Sequence, residues 1–263
     1  MKSHNVLWGD NKSPKIIVVM PAYNAEKTVR RTYGDLPKDL ISEVILVDDA
    51  SADKTVDRAR KLGITVYVHK ENKGYGGNQK TCYDQALKRN PDIVVMLHPD
   101  YQYDAKIAGV LCEPIVNGRA DIMLGSRIQT RHQVLAGGMP LYKYFANRFL
   151  TLFENLAMGL NLSEYHTGFR AYSATVLKTV PYHKFSDDFV FDQQILISAL
   201  SCGFNISEIP VPCKYFPEAS SINFKRSTKY GLQTLWTVAT YLIHSTGIIK
   251  FKIFSPSPNI PRN

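Results

Sequence analysis

The chain has few cysteines and none of the short motifs that paired cysteines form. Its four cysteines lie far apart in the sequence, and no two of them stand in a CxxC arrangement. That spacing excludes a disulfide scaffold, a zinc ribbon and a thioredoxin-type redox site. We therefore expect free thiols in a reducing compartment. These residues are Cys82, Cys112, Cys202 and Cys213.

An apolar leader is also missing, because residues 1–15 contain no continuous hydrophobic stretch. The sequence therefore predicts no secretory signal peptide and a cytoplasmic location. Basic residues outnumber acidic ones, but the net charge of +9 is not pooled in one tail. The chain has no RNP pattern, zinc finger or basic heptad region, so we expect no nucleic-acid partner. The basic balance instead favours phosphorylated substrates or an anionic membrane surface.

What is present is the pattern of a folded α/β chain. Short β-branched runs alternate with helix-like stretches, which predicts a mostly parallel central sheet flanked by helices and joined by right-handed crossovers. The predicted strands are residues 16–20, 44–48, 65–68 and 93–97. The predicted helices are residues 25–33 after the capping residue Asn24, 54–62 between Asp53 and Gly63, 78–89, 141–158 and 190–200. We interpret residues 125–127 and 167–172 as turns at strand ends.

The organisation we predict is a catalytic domain with short additions at both ends. An N-terminal extension covers residues 1–14 and the catalytic domain covers residues 15–228. An amphipathic helical segment follows at 229–254, and the proline-containing tail at 255–263 is expected to be disordered.

Polar residues follow the predicted strands, where the ligands of parallel sheets bind. Tyr23 could stack on a base, and the carboxylates of Asp48 and Asp49 could accept hydrogen bonds from a base imide or a ribose hydroxyl. Gly76 belongs to a glycine-rich helix start whose amides could approach a phosphate, although the spacing does not match a dinucleotide fingerprint. Ordinary turns and helix caps explain each of these residues as well.

The fourth strand leads into His98, Asp100 and Gln102, which alternate and so point the same way in an extended chain. An imidazole nitrogen with carboxylate and amide oxygens can bind Mn²⁺ or Mg²⁺, which also keep waters and substrate phosphate oxygens. The alternative is a polar strand end with a hydrogen-bonded histidine.

Six motifs occur in one order along the chain: PAYNAE, VDDASADKT, NKGYGGNQ, HPDYQYD, GSR and EYHTGFRAY. Together they resemble the family 2 glycosyltransferases of the GT-A fold. The resemblance is strongest to the branch of polyprenyl- (dolichyl-) phosphate mannosyl and glucosyl synthases, and it covers roughly residues 15–230. The chain is therefore expected to be a metal-dependent enzyme that uses a UDP- or GDP-sugar donor.

The resemblance implies roles for the matching positions. Pro21, Tyr23, Glu26 and Asp48 would hold the nucleoside. Asp100 and Gln102 would bind the metal and, through it, the diphosphate. Arg127 and Arg170 would hold the acceptor phosphate or the donor diphosphate, and Asp192 takes the place of an acidic residue on a late helix. Lys225, Arg226 and Lys229 are further candidates for the acceptor phosphate.

The chain departs from the family pattern at three places. His98 stands where the family usually has an aspartate, so the metal site has one negative charge fewer. Ala50 replaces the usual glycine of the VDDGS turn. Residues 213–223 differ from the basic, glycine-containing loop of the mannosyl synthases, so the sugar and the nucleotide stay open.

The resemblance implies an inverting transfer in one displacement. A polyprenyl-phosphate acceptor is already ionised at neutral pH and needs cations to hold it in line. A sugar hydroxyl of a glycan, the alternative acceptor, would need a general base, for which Asp192 is the candidate. Two further alternatives are a sugar nucleotidyltransferase, whose glycine-rich loop is absent after the first strand, and an inactive nucleotide-sugar-binding homologue.

Residues 230–249 contain no Lys, Arg, Asp or Glu and are long enough to span a bilayer. Their pattern argues against a span, because polar residues share one face of the helix. The apolar face is Leu232, Leu235, Trp236, Ala239, Leu242 and Ile243, and the polar face is Gln233, Thr237, Thr240 and His244. We predict a helix lying on the membrane surface, with an amphipathic helix that simply caps the catalytic domain as the alternative.

Overall fold

The computed structural model describes residues 13–128, 130–214 and 224–257. The strands are β1 (Ile16–Ala22), β2 (Glu43–Asp48), β3 (Thr65–Val68), β4 (Ile93–Met96), β5 (Ile122–Ser126), β6 (Arg170–Ser173) and β7 (Ile206–Pro210). The helices are α1 (Val29–Gly34), α2 (Thr55–Lys61), α3 (Gly74–Leu87), α4 (Ala108–Val116), α5 (Arg131–Ala136), α6 (Leu141–Met158), α7 (Ala174–Thr179), α8 (Phe191–Ser201) and α9 (Phe224–Ser245). Single 3₁₀ turns occur at Ala105–Ile107, Tyr182–Lys184 and Lys252–Phe254.

The strands form one sheet in the order β3-β2-β1-β4-β6-β5-β7. Strand β6 runs antiparallel to its neighbours β4 and β5, and the other pairs are parallel. The predicted α/β fold with a mostly parallel sheet is therefore confirmed. The prediction of turns at 125–127 and 167–172 is wrong in part, because Gly125 and Ser126 end β5 and Arg170 begins β6.

Helices cover both faces of the sheet, as the sequence of β1 requires. Every residue of β1 is buried. Ile17 and Val19 face a core that α3, α7, α8 and α9 complete, whereas Val18 and Met20 face a second core under α1, α2 and α4. A strand buried on both faces reads as a continuous apolar run, which explains why it could be recognised.

Asn24, the predicted helix cap, instead connects the loop after β1 to the loop after β2. Asn24 has a positive φ of 52° and lies outside α1, which begins at Val29. Its Oδ1 accepts a hydrogen bond from the Ala52 amide (2.9 Å), and its own amide donates to Ser51 Oγ (2.8 Å). The predicted capping role of Asn24 is therefore wrong, since the side chain ties the β1 loop to the β2 loop.

The late amphipathic helix is α9, and it packs its polar face, not its apolar face, against the domain. Thr234, Thr237, Thr240 and His244 are buried against the domain, where α9 packs on α6 and α8. Leu232 and Trp236 of the apolar face are exposed to 65% and 71%. Among the helices of the described ranges, none is apolar and long enough to cross a membrane.

The four cysteines are free, as expected. Cys82 and Cys112 are buried in the two cores, and Cys202 and Cys213 are half-buried. The predicted extension at 1–14 and the loop at 213–223 lie mostly outside the described residues, as does most of the predicted tail.

Candidate active site

Two adjoining cavities lie at the carboxyl ends of β1, β2 and β4. The outer cavity, of about 940 Å³, is bounded by the loops that follow these strands and by the loop before α8. The inner cavity, of about 210 Å³, is bounded by α6, by the start of α9 and by the loop between α6 and β6. Four residues line both cavities and form the partition between them: Tyr75, His98, Asp100 and Phe189.

Asp48 is the last residue of β2 and Asp49 follows it; both are buried, but they have different hydrogen-bond partners. Asp48 accepts hydrogen bonds from the Ser51 amide (2.9 Å) and hydroxyl (2.5 Å), and so it closes its own turn. Asp49 lines the outer cavity, and its carboxylate lies 2.7 Å from His69 Nδ1. It also accepts from the main-chain amides of Lys73 (2.8 Å) and Gly74 (3.1 Å) at the start of α3.

The predicted nucleoside-binding residues of the first loop separate into two groups. Pro21 and Tyr23 line the outer cavity, and Tyr23 is exposed at 58%, as a base-stacking residue would need to be. Glu26 faces away and pairs with Arg58 (2.8 Å). Hydrogen bonds from Arg58 and from the Lys54 amide hold the pKa of Glu26 below its usual value. Glu26 is not among the residues lining either cavity, so the structure gives no support to its predicted contact with the nucleoside.

Gly76 lies inside the protein rather than at a phosphate cradle. Its amide donates to the Asp187 carbonyl oxygen (2.7 Å), and a β-carbon at this position would collide with the Ser186 carbonyl oxygen. The Gly74 amide is likewise bonded to Asp49. The first amides of α3 therefore bind groups of the protein itself, which argues against the predicted phosphate contact of Gly76.

The predicted metal residues do lie together. His98, Asp100 and Gln102 line the inner cavity, and Asp100 and Gln102 are exposed by only 9% and 6%. Asp100 Oδ1 accepts from the Gln102 amide (3.1 Å). His98 stacks on Tyr75, with ring centroids 5.2 Å apart, and burial lowers the pKa of His98, so its imidazole is neutral.

The donor set fits a hard divalent ion in part. Over the part of the chain that the structure describes, no cluster of three His, Cys, Asp or Glu side chains surrounds a metal-sized space. Asp100 and Gln102 offer two oxygen ligands, which suits Mn²⁺ or Mg²⁺ that keep waters and substrate phosphate oxygens. The Tyr75 hydroxyl gives its one proton to Asp192 (2.7 Å), so His98 Nε2, at 3.1 Å from that oxygen, must be the donor there. His98 could then ligate a metal through Nδ1.

Arg127 lines the inner cavity and is held by a buried carboxylate. Its Nε donates to Glu164 Oε1 (3.0 Å), its main-chain amide donates to Oε2 (2.8 Å), and a terminal nitrogen donates to the His166 carbonyl oxygen (2.7 Å). Burial alone would raise the pKa of Glu164, but the charge and hydrogen bonds of Arg127 outweigh burial and hold that pKa below its usual value. Arg127 is therefore fixed at the cavity wall.

Arg170 is fully buried, which corrects the predicted phosphate contact. Its guanidinium donates to the main-chain oxygens of Thr167 (2.7 Å), Tyr165 (2.9 Å) and Asp192 (2.8 Å), and it lies 3.6 Å from the Asp192 carboxylate. It is not among the residues that line either cavity. An arginine in this position supports the site from beneath and does not reach a ligand.

Asp192 lines the inner cavity from the first turn of α8. Its Oδ2 accepts the Tyr75 hydroxyl (2.7 Å), and its Oδ1 accepts the Gln79 amide (3.1 Å). With Arg170 beneath it, the carboxylate is held in one orientation. Of the three predicted cations on α9, Arg226 lines the outer cavity, whereas Lys225 and Lys229 lie on a separate surface groove.

The structure adds residues to the site that the sequence did not single out. The inner cavity is also lined by Lys143 and Asn147 of α6, by His166 and by Tyr230 of α9. Burial, with the nearby charge of Arg127, lowers the pKa of Lys143. These residues come from helices without a recognisable motif, so only the fold brings them to the cavity. Tyr75 belongs to the glycine-rich motif, but nothing in the spacing of that motif indicates that its side chain lines the cavities.

Comparison with known proteins gives a consistent result. The model of glycosyl transferase family 2 matches residues 17–180, which is more than half of the chain. UDP-N-acetylglucosamine–dolichyl-phosphate N-acetylglucosaminyltransferase of Methanococcus voltae is 27% identical over 76% of this chain and 86% of its own length. Undecaprenyl-phosphate mannosyltransferase of Micrococcus luteus is 27% identical over 75% of this chain and 82% of its own length.

A solved structure shares the fold. Glucosyl-3-phosphoglycerate synthase from Mycobacterium tuberculosis, in complex with Mn²⁺, UDP-glucose and phosphoglyceric acid, superposes with a TM-score of 0.67 at 18% identity. The alignment covers 90% of this chain and 82% of that one. At this identity the likeness concerns the arrangement of the elements.

Proposed function

The chain belongs to glycosyl transferase family 2, and from that premise we propose that it moves a hexose from a UDP- or GDP-linked donor to a polyprenyl phosphate. The observation that carries the proposal is the inner cavity. Arg127 and Lys143 supply positive charge there, while Met139, Ala146 and Leu150 supply apolar surface. A phosphate with an attached hydrocarbon chain combines these two properties. Two relatives are named for lipid-phosphate acceptors.

The donor is assigned to the outer cavity. Pro21 and Tyr23 would hold the base, and Asp49 would accept hydrogen bonds from the nucleoside. Asp100 and Gln102, with His98 through Nδ1, would hold Mn²⁺ or Mg²⁺. When bound, the ion neutralises the charge that develops on the leaving diphosphate. Arg226 lies at the same cavity and adds positive charge.

The transfer needs no proton to be removed from the acceptor. A phosphate oxygen of the acceptor forms a bond to the anomeric carbon as the bond from that carbon to the donor diphosphate breaks. The electron pair of the broken bond stays with the leaving nucleoside diphosphate, and the anomeric configuration inverts. Arg127 and Lys143 would hold the acceptor in line, and such positioning supplies much of the rate enhancement.

We expect Lys143→Ala to raise the KM for a short polyprenyl phosphate about tenfold, with a smaller effect on the KM for the donor. The reason is that Lys143 lines the inner cavity and not the outer one. Steady-state kinetics with each substrate varied in turn measure both constants. Lys178→Ala on α7 is the matched control and should leave both unchanged. Equal rises in the two KM values in Lys143→Ala would count against the assignment.

A membrane surface is the proposed location of the acceptor. Helices α6 and α9 pack on each other and turn apolar side chains outward. Phe145, Leu156 and Trp236 are exposed to 65%, 77% and 71%. Other exposed apolar residues of the two helices are Leu141, Tyr142, Phe149, Leu152, Phe153, Leu232, Leu242 and Ile243. Exposed apolar side chains in this number on two packed helices are typical of an interaction surface.

An anionic bilayer leaflet fits this patch better than water does. The polar face of α9 is already buried against the domain, so the apolar face of the helix points outward and can contact lipid. Exposed Lys225, Lys250 and Lys252 lie near its two ends, and each basic residue near an anionic leaflet contributes about 1 kcal/mol. Lys229 is bonded to Asp188 (2.6 Å), which makes it a poorer choice for a charge test.

We expect the double variant Phe145→Glu/Trp236→Glu to lose flotation with vesicles of anionic phospholipid. Two charges would then face the acyl region, and a charge at that depth is strongly unfavourable. Val110→Glu is the matched control, because Val110 is an exposed apolar residue (47%) on α4 at the other side of the sheet. Unchanged flotation of the double variant, or equal loss in the control, would argue against this surface.

A glycan hydroxyl is the competing acceptor, and Asp192 is the reason to test it. Asp192→Asn should abolish transfer to a hydroxyl, which needs a base, but only weaken transfer to a phosphate. Assays of the wild type and this variant on a short polyprenyl phosphate and on a free glycan decide between the two. Transfer by the wild type to the glycan alone would overturn the proposed acceptor.

A further inference from the structure

The partition between the two cavities is the place where a transferred hexose must lie. In the proposed reaction the leaving diphosphate occupies the outer cavity and the acceptor phosphate occupies the inner one. The anomeric carbon is bonded to the first and attacked by the second. Tyr75, His98 and Phe189 of the partition therefore lie beside the sugar.

We infer that Tyr75 is a specificity-determining residue for the hexose, because its hydroxyl fixes the Asp192 carboxylate that faces the sugar hydroxyls. This inference rests on the proposed function. The inference goes beyond the proposed function because it assigns the choice of sugar to one hydrogen bond, which Tyr75 of α3 donates to Asp192 of α8. The sequence motifs do not indicate this hydrogen bond.

The ring of Tyr75 is held by two neighbouring rings. It packs against Phe189 with ring centroids 4.5 Å apart and stacks on His98 at 5.2 Å with an interplanar angle of 15°. Gly168 makes room for this arrangement, since a β-carbon there would lie 2.8 Å from a ring carbon of His98. The hydroxyl of Tyr75 is therefore placed by packing, and it has little freedom to follow a moving partner.

The hydroxyl in turn orients a carboxylate. It donates to Asp192 Oδ2 (2.7 Å), while Gln79 donates to Oδ1 (3.1 Å) and is itself bonded by the Tyr83 hydroxyl (3.0 Å). Both oxygens of Asp192 are thus fixed by side chains from α3.

A fixed carboxylate can discriminate between sugars. A carboxylate has about four acceptor positions, and Tyr75 and Gln79 occupy two of those on Asp192. The remaining lone pairs can accept hydrogen bonds from sugar hydroxyls on the inner-cavity side. A site built to bond a hydroxyl rejects a sugar that lacks it or presents it in another direction, because the buried acceptor then stays unpaired. Tyr75 acts through Asp192 and is a positioning residue.

The test uses two pairs of epimeric donors, UDP-glucose with UDP-galactose and GDP-glucose with GDP-mannose. Calorimetry in the presence of Mn²⁺ gives the Kd of each, and of UDP and GDP alone. We expect the wild type to distinguish the epimers of one pair. In Tyr75→Phe, which keeps the ring and loses the hydroxyl, the ratio of the two Kd values should shrink about tenfold. The Kd of the free nucleotide should stay within about twofold.

The matched control is Tyr182→Phe. The Tyr182 hydroxyl donates to the Asp84 carboxylate (2.6 Å), so this variant also loses a tyrosine–aspartate hydrogen bond, but outside both cavities. It should keep the wild-type ratio. A ratio unchanged in Tyr75→Phe, an equal loss in the control, or a wild type that binds both epimers of each pair equally would overturn the inference and leave the proposed function standing. A wild type that binds none of the four donors would overturn the proposed function itself.

Discussion

Replacing Asp100 with alanine is expected to lower hexosyl transfer about a thousandfold or more, because the carboxylate is the only anionic donor of the proposed metal site. The loss should appear in kcat with Mn²⁺ or Mg²⁺ present. The fold should survive, since the side chain lies at a strand end beside the cavities and not in either apolar core. Transfer assays and thermal unfolding of the same preparation measure both effects.

Asp104→Ala provides the control in the same loop. Asp104 accepts one main-chain hydrogen bond from the Lys106 amide (3.1 Å), much as Asp100 accepts one from Gln102 (3.1 Å), but it lines neither cavity. It should keep wild-type turnover. Full turnover by Asp100→Ala would remove the basis for a metal here.

His98→Asp should retain activity, since it restores an oxygen ligand to the proposed metal site. An inactive His98→Asp enzyme would show that the imidazole has another role.

Arg170→Lys is expected to lower the free energy of unfolding by about 3 kcal/mol. A lysine keeps the charge but cannot reach the main-chain oxygens of Thr167, Tyr165 and Asp192 together. The buried carbonyl groups left without a donor account for most of the loss. Equilibrium unfolding in urea measures it.

Arg89→Lys is the matched control for that measurement. Arg89 also pairs with a carboxylate, Glu43 (2.8 Å), but both side chains are partly exposed, so the expected loss is about 1 kcal/mol or less. An Arg170→Lys protein with an unchanged unfolding midpoint and a weakened donor affinity would instead point to the phosphate contact that the sequence resemblance implied.

The first half of the fold could be predicted from the sequence because its signals are local. Strand β3 has the predicted bounds, and β1, β2 and β4 differ from theirs by one or two residues. In the second half, helix α6 also has the predicted bounds. A strand buried on both faces is a continuous apolar run, so it needs no tertiary information. Strand β6 does need tertiary information to be predicted. Its first residue, Arg170, resembles a polar turn residue until its buried hydrogen-bond partners are known.

The candidate site was predictable where a residue stands directly after a strand. Asp49, His98 and Asp100 lie at the cavities for that reason. The interior position of Arg170 was not predictable, since a polar residue within a motif gives no measure of burial. The orientation of α9 was hidden in the same way. Its two faces could be read from the spacing, but which face meets the domain depends on how the helix packs against α6 and α8. The buried threonines Thr237 and Thr240 satisfy their hydroxyls on main-chain oxygens of α9 itself, so their burial needs no polar partner from those helices.

The two cavities are bordered by different parts of the chain, and this has a kinetic consequence. The outer one opens among strand-end loops, and the inner one lies between the two helices that turn apolar side chains outward. In the proposed arrangement the donor arrives by three-dimensional diffusion from the aqueous phase, while the acceptor arrives by lateral diffusion within a leaflet. The velocity would then depend on the mole fraction of acceptor among the lipids. Added inert phospholipid would lower the velocity by diluting the acceptor within the leaflet, without binding at the active site.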